Sequence, residues 1–158
     1  MAESFEADPK IAEIAAAYSL DAVDLAASNF GIKLDWSDSS VQRIEHILGR
    51  LHDDMAQSNP PEEAVWTFAK AFGSYVGEVL RKHHGGEWGM VNLNGQSFPG
   101  IQQGGGRLSW PWGRAHKRIV NGPEDNIWHY YQLLRKQKGC ASETGDDMPP
   151  TKPWWRFW

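Results

Sequence analysis

Apolar residues recur with a helical period through the first 84 residues, which predicts three consecutive helices. The first begins at Asp8 and Pro9, a capping acceptor followed by proline at the first helical position, and ends at Gly31. Its apolar positions are Ile11, Ile14, Ala15, Tyr18 and Ala22. The stretch IKLDW after Gly31 is predicted to be briefly extended.

The second helix is predicted to begin with a capping box formed by Ser39 and Gln42. Its buried stripe comprises Val41, Ile44, Ile47, Leu48, Leu51 and Met55. The sequence SNPP at 58–61 then ends this helix and starts the third.

The third predicted helix, from Pro61 to about His84, has the widest apolar face. That face comprises Val65, Phe68, Ala69, Phe72, Val76, Val79 and Leu80. Gly73 and Gly77 lie beside it, although glycine inside a helix costs about 1 kcal/mol relative to alanine. Two glycines four residues apart predict that another element packs closely on that side, as in a helix that runs through the centre of a domain.

The pattern changes after residue 86, where a β-hairpin is predicted. EWGMVNL and QSFPGIQQ flank Asn94 and Gly95, a pair that favours a two-residue hairpin turn. A short helix is predicted over residues 110–120, and a last helix starts at Pro123 with two acids in its first turn. The core face of that last helix is Ile127, Trp128, Tyr131 and Leu134.

These elements predict a single α+β domain over residues 1–138. In it, helices pack around a central helix at about 61–84, beside a small antiparallel β-hairpin and a C-terminal helical pair. Residues 139–158 are predicted to be a flexible linker with an aromatic C-terminal tail, because residues 139–149 have too little apolar surface to offset the entropy of ordering.

The composition indicates a globular protein, since 41% of the 158 residues are hydrophobic and 23% are charged. No apolar run approaches the ~18 residues of a membrane-spanning helix. The stretch MAESFEADPK is acidic and lacks the basic and then apolar regions of a signal peptide. Cys140 is the single cysteine, so no internal disulfide is expected. These features predict a cytoplasmic protein.

The net charge of −4 is unevenly distributed. Residues 1–60 carry eleven acids and four bases, whereas residues 61–158 carry nine acids and twelve bases. The positive excess between Arg107 and Lys138 either forms a surface for an acidic partner or nucleic acid, or faces the acidic N-terminal half. Two helices within 114–134, with Arg114, Lys117 and Arg118 exposed, have the outline of a DNA-binding pair. We expect no nucleic acid, because the second of these helices starts with acids that repel phosphate.

The stretch GEVLRKHHGGEW, residues 77–88, places two histidines between two glutamates and raises the question of a metal site. On a helix, His83 and His84 point about 100° apart, whereas the H-E-x-x-H pattern places both ligands on one face. Gly85 and Gly86 are typical of a helix end. Cationic and polar side chains just before such an end interact favourably with the negative end of the helix dipole. We therefore predict a helix end and no bound metal.

Glu78 has two interpretations. In the first, it forms a solvent-exposed ion pair with Arg81, worth roughly a few tenths of a kcal/mol. In the second, Glu78, Arg81 and Trp88 form the wall of a polar pocket under the hairpin. The spacing favours the exposed pair. The residues available to a binding pocket are Tyr75, Glu78, Arg81, Trp88, Lys117 and Arg118.

No catalytic residue and no cofactor are predicted. The chain lacks the G-x-S-x-G pattern of a serine nucleophile, and Cys140 lies in the predicted linker. Residues 100–105 have the glycine spacing of a phosphate-binding loop, but Gly106 and Arg107 stand where lysine and serine or threonine are required.

The last five residues, Trp154, Trp155, Arg156, Phe157 and Trp158, are four aromatics and one arginine. Because such residues dominate interface energetics, we predict that they form a docking element for a partner protein. On that hypothesis, deletion of residues 150–158 leaves the thermal stability nearly unchanged. Packing of this segment on its own domain is the alternative.

Three short motifs occur together between residues 62 and 134. They are Tyr75-x-Gly77-Glu78 with Arg81, Gly85-Gly86-x-Trp88, and Lys117-Arg118-Ile119-x-Asn121-Gly122. This combination is similar to a group of small uncharacterised bacterial cytoplasmic domains of unknown function. Some relatives of such domains resemble immunity or accessory proteins of toxin systems. The resemblance implies no catalytic residue, because none is assigned in the group.

From these observations we expect a non-enzymatic protein-binding protein of the bacterial cytoplasm, such as an immunity or accessory protein. One alternative is a small hydrolase or ligand-binding domain with a polar pocket around Glu78 and Arg118. Another is a nucleic-acid-binding helical pair. Polar groups that converge in a deep cleft favour the pocket, whereas a flat aromatic surface favours protein binding.

Overall fold

The computed structural model describes residues 4–136 and confirms the α+β class. Within those residues, the elements are β1 (Ser4–Ala7), α1 (Pro9–Phe30), α2 (Ser40–Ser58), α3 (Glu62–His84), β2 (Glu87–Leu93), β3 (Gln96–Gln102), β4 (Leu108–Ser109), α4 (Pro111–Asn121) and α5 (Ile127–Lys136). The strands form one antiparallel sheet in the order β1-β2-β3-β4. Short 3₁₀ turns precede β4 and α5.

Helix α1 has the bounds that the sequence predicts, because both of its ends carry the expected caps. The Asp8 carboxylate accepts a hydrogen bond from the Lys10 backbone N–H at 2.9 Å. The Asp8 N–H in turn donates to the Trp88 carbonyl at 3.1 Å, which ties the first turn to β2. At the other end, Gly31 has a left-handed backbone with φ 65°, and its N–H donates to the carbonyl of Ala26.

Helix α2 does not use the predicted capping box of Ser39 and Gln42. Ser39 has helical backbone angles, and its side chain caps no backbone N–H. The Ser37 hydroxyl takes this role instead, because it accepts from the Ser40 N–H at 3.2 Å. Ser37 is held in place by the carboxylate of Asp35, which accepts from its hydroxyl at 2.6 Å. The predicted stripe is otherwise confirmed, with four buried and two partly buried members: Val41, Ile44, Ile47, Leu48, Leu51 and Met55.

Helix α3 runs through the centre of the domain, as predicted. Every residue from 71 to 80 is buried, so this part of the helix is surrounded on all sides. It packs most extensively against α1 and α4, whereas α2 packs chiefly against α4 and α5.

The two glycines of α3 allow the close packing that the sequence predicts. A Cβ on Gly73 would lie 2.7 Å from the carbonyl oxygen of Pro111, at the start of α4. A Cβ on Gly77 would lie 2.4 Å from the ring of Trp88, on β2. Real Cβ atoms do not come this close to other heavy atoms, so each glycine permits a contact that alanine would prevent.

The β2–β3 hairpin turns at Asn94 and Gly95 as predicted, with positive φ angles of 53° and 80°. The sequence did not predict β1 or β4, because strands of four and two residues are too short to show an alternating pattern. Strand β1 pairs with β2, with Phe5 opposite Val91, and β4 pairs with the end of β3.

The two faces of the sheet have different neighbours, because successive side chains of a strand point to opposite faces. Trp88 and Ile101 share the inner face, which packs against α1, α3 and α4. The outer face carries a separate apolar cluster that comprises Phe5, Val91, Leu93, Phe98, Leu108 and Trp110. The largest core lies among the helices themselves.

Helix α5 starts later than the sequence predicts. Residues Pro123–Asp125 form a 3₁₀ turn, and the α-helix begins at Ile127. Asn126 caps it, since its side-chain oxygen accepts a hydrogen bond from the His129 N–H at 2.8 Å. The carboxylate of Asp125 instead binds side chains of α4, which holds the turn away from a helical path.

Candidate functional site

Glu78 is buried between α3 and the sheet, with 5% of its surface exposed. Its carboxylate accepts hydrogen bonds from Nε and Nη2 of Arg81, at 2.9 and 3.1 Å. It also accepts from the indole N–H of Trp88 at 2.8 Å. The predicted ion pair with Arg81 forms, but the expected solvent exposure of Glu78 is wrong. The absent side chain of Gly77 lets the Trp88 ring lie against α3 and cover Glu78.

The environment of Glu78 favours its charged form. Burial raises the pKa of Glu78, but the hydrogen bonds from Arg81 and Trp88 and the charges of Arg81 and Lys82 outweigh burial. The pKa therefore lies below its usual value of 4.5. The hydrogen bond to Glu78 raises the pKa of Arg81 in turn. Both groups are thus charged at neutral pH.

Arg81 lines a cleft of about 280 Å³ between the first turns of α1 and the start of β2, which we call the Arg81 cleft. The lining residues are Ala7, Asp8, Pro9, Ala12, Ala16, Glu78, Arg81, Gly86, Glu87 and Trp88. Because Glu78 neutralises Arg81, the carboxylates of Asp8 and Glu87 leave the lining with a net negative charge. Such a lining suits a cationic group better than an anionic one.

Tyr75 is fully buried and does not line the Arg81 cleft. Its hydroxyl accepts a hydrogen bond from the Trp36 backbone N–H at 2.8 Å and is bonded to the Ser40 hydroxyl at 2.7 Å. Burial raises the pKa of Tyr75, so this hydroxyl stays neutral. Tyr75 therefore holds the loop between α1 and α2 against α3.

His83 and His84 lie at the end of α3, as the sequence predicts, and both bind the loop between α1 and α2. The His83 Nε2 atom is bonded to the Trp36 carbonyl at 2.7 Å, and the His84 Nε2 atom to the Asp38 carboxylate at 2.8 Å. The Tyr131 hydroxyl of α5 donates to the same carboxylate. Asp38 thus joins three parts of the chain. Sequence reasoning missed it, because an aspartate in a short polar loop is common.

The Asp38 carboxylate is stabilised in its charged form. Burial raises the pKa of Asp38, but the hydrogen bonds from Tyr131 and His84 outweigh burial, and the pKa lies below its usual 3.8. Burial, together with the hydrogen bond to Asp38, raises the pKa of Tyr131. At neutral pH the pair is therefore a charged acceptor and a neutral donor.

The two arginines of α4 are buried, with 7% of each side chain exposed. Arg118 Nε donates to Glu45 at 2.8 Å, and Arg114 donates to Asp125 at 3.3 Å. Arg114 and Arg118 are therefore not exposed, as the alternative of a DNA-binding helical pair would require. The Arg118–Glu45 pair instead joins the basic region to the acidic N-terminal half. Lys117 is half-buried.

Arg118 and Glu78 line different clefts, so the single polar pocket that the sequence suggested does not form. The cleft at Arg118 has a volume of about 450 Å³ and is lined by Gln42, Glu45, His46, Gly49, Arg50, His52, Asp53, Arg118 and Pro123. Glu45 also accepts a hydrogen bond from the Ile127 N–H at 2.9 Å, so the pair holds the start of α5 against α2.

A third cavity is mainly apolar and lies between the ends of α1 and α2 and the start of α3. We call it the helical groove; its volume is about 310 Å³. Its apolar lining residues are Phe30, Leu51, Met55, Pro60, Ala64, Val65, Phe68 and Ile119. Its polar lining residues are Asn29, Arg50, Asp54 and Ser58. The groove thus combines an apolar floor with a polar edge that carries one base and one acid.

The predicted docking residues 154–158, the linker before them and Cys140 lie outside the described residues. Within residues 4–136, no three histidine, cysteine, aspartate or glutamate side chains are grouped closely enough to hold a metal ion. No helix in that range has the length and apolarity needed to cross a bilayer.

Comparisons with known proteins show a similar fold but indicate no function. No family model and no curated protein matches the chain. A crystal structure from Bacteroides thetaiotaomicron VPI-5482, at 1.50 Å resolution, is similar to it with a TM-score of 0.58 and 14% sequence identity. The alignment covers 84% of this chain and 47% of that one, so the chain spans about half the length of its structural relative. At this identity the likeness shows the fold alone.

Proposed function

We propose that this chain is a non-enzymatic protein-binding protein of the bacterial cytoplasm, such as an immunity or accessory protein. The observation that carries the proposal is the helical groove, which has an apolar floor and a polar edge. Protein interfaces typically have an apolar centre surrounded by polar or charged groups, and the groove has this arrangement.

The chemistry of the groove specifies the partner that fits it. Apolar side chains such as Phe30, Met55 and Phe68 line the floor, where an aliphatic or aromatic anchor of a partner can be buried. Arg50 and Asp54 at its edge offer a partner one group of each charge. The groove therefore suits a protein that presents an apolar side chain surrounded by polar groups.

The polar residues that were candidates for chemistry support the same proposal. Glu78 is occupied by Arg81 and Trp88, and Arg118 is occupied by Glu45. The contact of Glu78 with Trp88 joins α3 to β2, and the contact of Arg118 with Glu45 joins α4 to α2. These hydrogen bonds therefore stabilise the fold without a bound substrate.

A matched pair of substitutions tests the proposal. Met55→Glu places a charge in the floor of the groove, whereas Leu20→Glu places the same charge on α1, where Leu20 is 60% exposed. The immobilised wild type and both variants are incubated with cell extract, and bound proteins are quantified by mass spectrometry. We expect a partner protein on the wild type and on Leu20→Glu, and at least tenfold less of it on Met55→Glu. Equal retention by all three proteins contradicts the proposal, provided that circular dichroism shows each to be folded.

A second candidate is the binding of a small cationic ligand in the Arg81 cleft. The observation that favours it is the net negative lining that Asp8 and Glu87 produce around the neutralised Arg81. Thermal unfolding is measured with arginine, spermidine and acetate as probes. Stabilisation by the two cations but not by acetate, and its loss in Glu87→Gln, is the expected result. No shift with either cation excludes this candidate.

A further inference from the structure

Arg118 is a buried arginine whose guanidinium has only part of its hydrogen-bonding capacity in use. The residue is 6% exposed, and its Nε atom donates to Glu45 at 2.8 Å. Its Nη1 atom is buried and has no acceptor among the described residues. Buried donors of a charged side chain are seldom left in this state, because they have lost their hydrogen bonds to water without replacement. The guanidinium therefore retains donors for a further acceptor.

Gly49 of α2 places this guanidinium at the wall of a cavity. We call the cavity of about 450 Å³ that Arg118 lines the Arg118 cleft, and Gly49 lines it as well. A Cβ on Gly49 would lie 2.8 Å from the Nη2 atom of Arg118. Glycine inside a helix is destabilising relative to alanine, and here its absent side chain lets Nη2 lie against the backbone of α2. A guanidinium nitrogen is thus located at the cleft wall beside Gly49.

The charges that line the Arg118 cleft favour an anion. Its basic residues are His46, Arg50, His52 and Arg118, and its acids are Glu45 and Asp53. Both oxygens of Glu45 are engaged, one by Arg118 and the other by the Ile127 N–H at 2.9 Å. When the Arg118–Glu45 pair is counted as neutral, Arg50 balances Asp53, and two histidines remain that become positive when protonated. This lining contrasts with that of the Arg81 cleft, where acids are in excess.

We propose that the Arg118 cleft binds a phosphate group, as the free ion or as the monoester of a small molecule, with Nη2 of Arg118 and the ring of His46 as donors. His46 lies three residues before Gly49, on the same side of α2, and lines the same cleft. A phosphate group carries up to about two negative charges and has three strong acceptor oxygens, so it can accept from several donors at once. The volume of the cleft leaves room for an organic group beside the phosphate. This site goes beyond the proposed protein-binding function and does not depend on it.

Isothermal titration calorimetry of the full-length chain tests this proposal. The probes are inorganic phosphate and glycerol 3-phosphate, and potassium chloride of equal ionic strength is the control. We expect saturable binding of at least one phosphate probe and none of chloride. Saturation by inorganic phosphate alone identifies the free ion as the ligand, whereas saturation by glycerol 3-phosphate identifies a phosphorylated small molecule. The absence of saturable binding of either probe at millimolar concentrations overturns the proposal.

Two substitutions locate the site. Gly49→Ala places a methyl group against Nη2 of Arg118, and we expect it to weaken phosphate binding at least tenfold. His46→Gln removes a ring that can be protonated, and we expect at least threefold weaker binding. His129→Gln makes the same change at an exposed position of α5 and should leave the affinity unchanged. Equal affinity in all of these variants overturns the proposal. Arg50 is left intact because it also lines the helical groove, so this test and that of the proposed function stay separate.

Nuclear magnetic resonance of the unmodified chain provides a measurement that no substitution can disturb. Phosphate should shift the side-chain N–H resonances of Arg118 and the ring resonances of His46 along one saturable curve. The ring resonances of His129 should stay in place. Phosphate binding that leaves the Arg118 resonances unmoved overturns the proposal, even if Gly49→Ala fails to fold.

Discussion

Trp88 donates its indole N–H to the Glu78 carboxylate at 2.8 Å, and this contact joins the sheet to the central helix. It exists because Gly77 precedes Glu78, so the tryptophan ring can lie directly against the helix backbone. The same carboxylate holds Arg81, whose side chain remains 40% exposed at the edge of the Arg81 cleft. One glycine therefore determines both a packing contact and the position of a charged group.

Substitution of Glu78 tests this relationship through stability. We expect Glu78→Gln to lower the free energy of unfolding by about 1–3 kcal/mol at pH 7, because the Arg81 and Trp88 donors lose a charged acceptor. The partial exposure of Arg81 keeps the effect below that of a fully buried pair. Urea unfolding measures the difference, and Glu87→Gln, an exposed glutamate nearby, serves as the control with little expected change.

The pH dependence of the same variant follows from the lowered pKa of Glu78. A carboxyl whose pKa is lower in the folded than in the unfolded state contributes stability above its usual value of 4.5. That contribution is lost as the pH falls through the folded-state pKa. The difference between wild type and Glu78→Gln should therefore shrink steadily below about pH 4. A difference that stays constant down to about pH 2 would mean that the charge of Glu78 contributes nothing.

The glycines of α3 should reverse the usual effect of alanine in helices. Gly→Ala in an exposed helix stabilises it by about 1 kcal/mol, but here the added Cβ collides with neighbours. We expect Gly73→Ala and Gly77→Ala each to destabilise the protein by about 1–3 kcal/mol. Gly73 should be the less tolerant, because its Cβ would meet the backbone of Pro111, which cannot rotate away. Gly104→Ala is the control, since open space surrounds that position. Thermal melts that show stabilisation by Gly73→Ala contradict the packing described here.

Asp38 should respond to the loss of its tyrosine partner. Tyr131→Phe removes one hydrogen bond donor, so we expect a loss of about 0.5–1.5 kcal/mol in the free energy of unfolding. The pKa of Asp38 should also move up towards its usual 3.8, as measured by NMR titration. Tyr18→Phe is the matched control, because the Tyr18 ring packs edge-on against Trp112 without a contact to Asp38. If both variants leave the pKa of Asp38 unchanged, the Tyr131 hydroxyl does not stabilise the carboxylate.

The structure starts α5 at Ile127, whereas the sequence predicts a start at Pro123, and two substitutions distinguish these alternatives. Asn126→Ala should lower the free energy of unfolding by about 1 kcal/mol, because it removes the side-chain acceptor of the His129 N–H. Glu124→Ala should have little effect, since Glu124 lies in the 3₁₀ turn before the helix. If urea unfolding shows that Glu124→Ala is the more destabilising of the two substitutions, the helix starts at Pro123 as the sequence predicts.

Local features of the chain were sufficient to predict most of its elements. The caps at Asp8 and Gly31, the helical period of α2 and α3, and the turn at Asn94 and Gly95 all act within a few residues. Such signals are written into short stretches of sequence, so the α+β class and the central helix follow from them. The error at Ser39 arose because two hydroxyl residues close together can both serve as a cap, and only the loop path selects one.

The burial of polar side chains was the property that sequence reasoning could not assign. Glu78 has the spacing of an exposed ion pair, and nothing within α3 shows that Trp88 from the following strand will cover it. In the same way, Arg114 and Arg118 form a pattern typical of an exposed basic helix until their partners are known. The charge pattern of a helix describes its surface, but neighbouring elements decide which part of that surface meets solvent.

The remaining features depend on residues far apart in the chain. Asp38 binds Tyr131 across 93 positions, and Glu45 binds Arg118 across 73. The short strands β1 and β4 exist only because the central hairpin offers them edges to pair with. The sequence by itself therefore determined where helices and turns form, because those are set by local backbone and side-chain chemistry. The tertiary structure alone decided which polar groups are buried, paired or left beside a cleft, because that depends on contacts formed when distant segments come together.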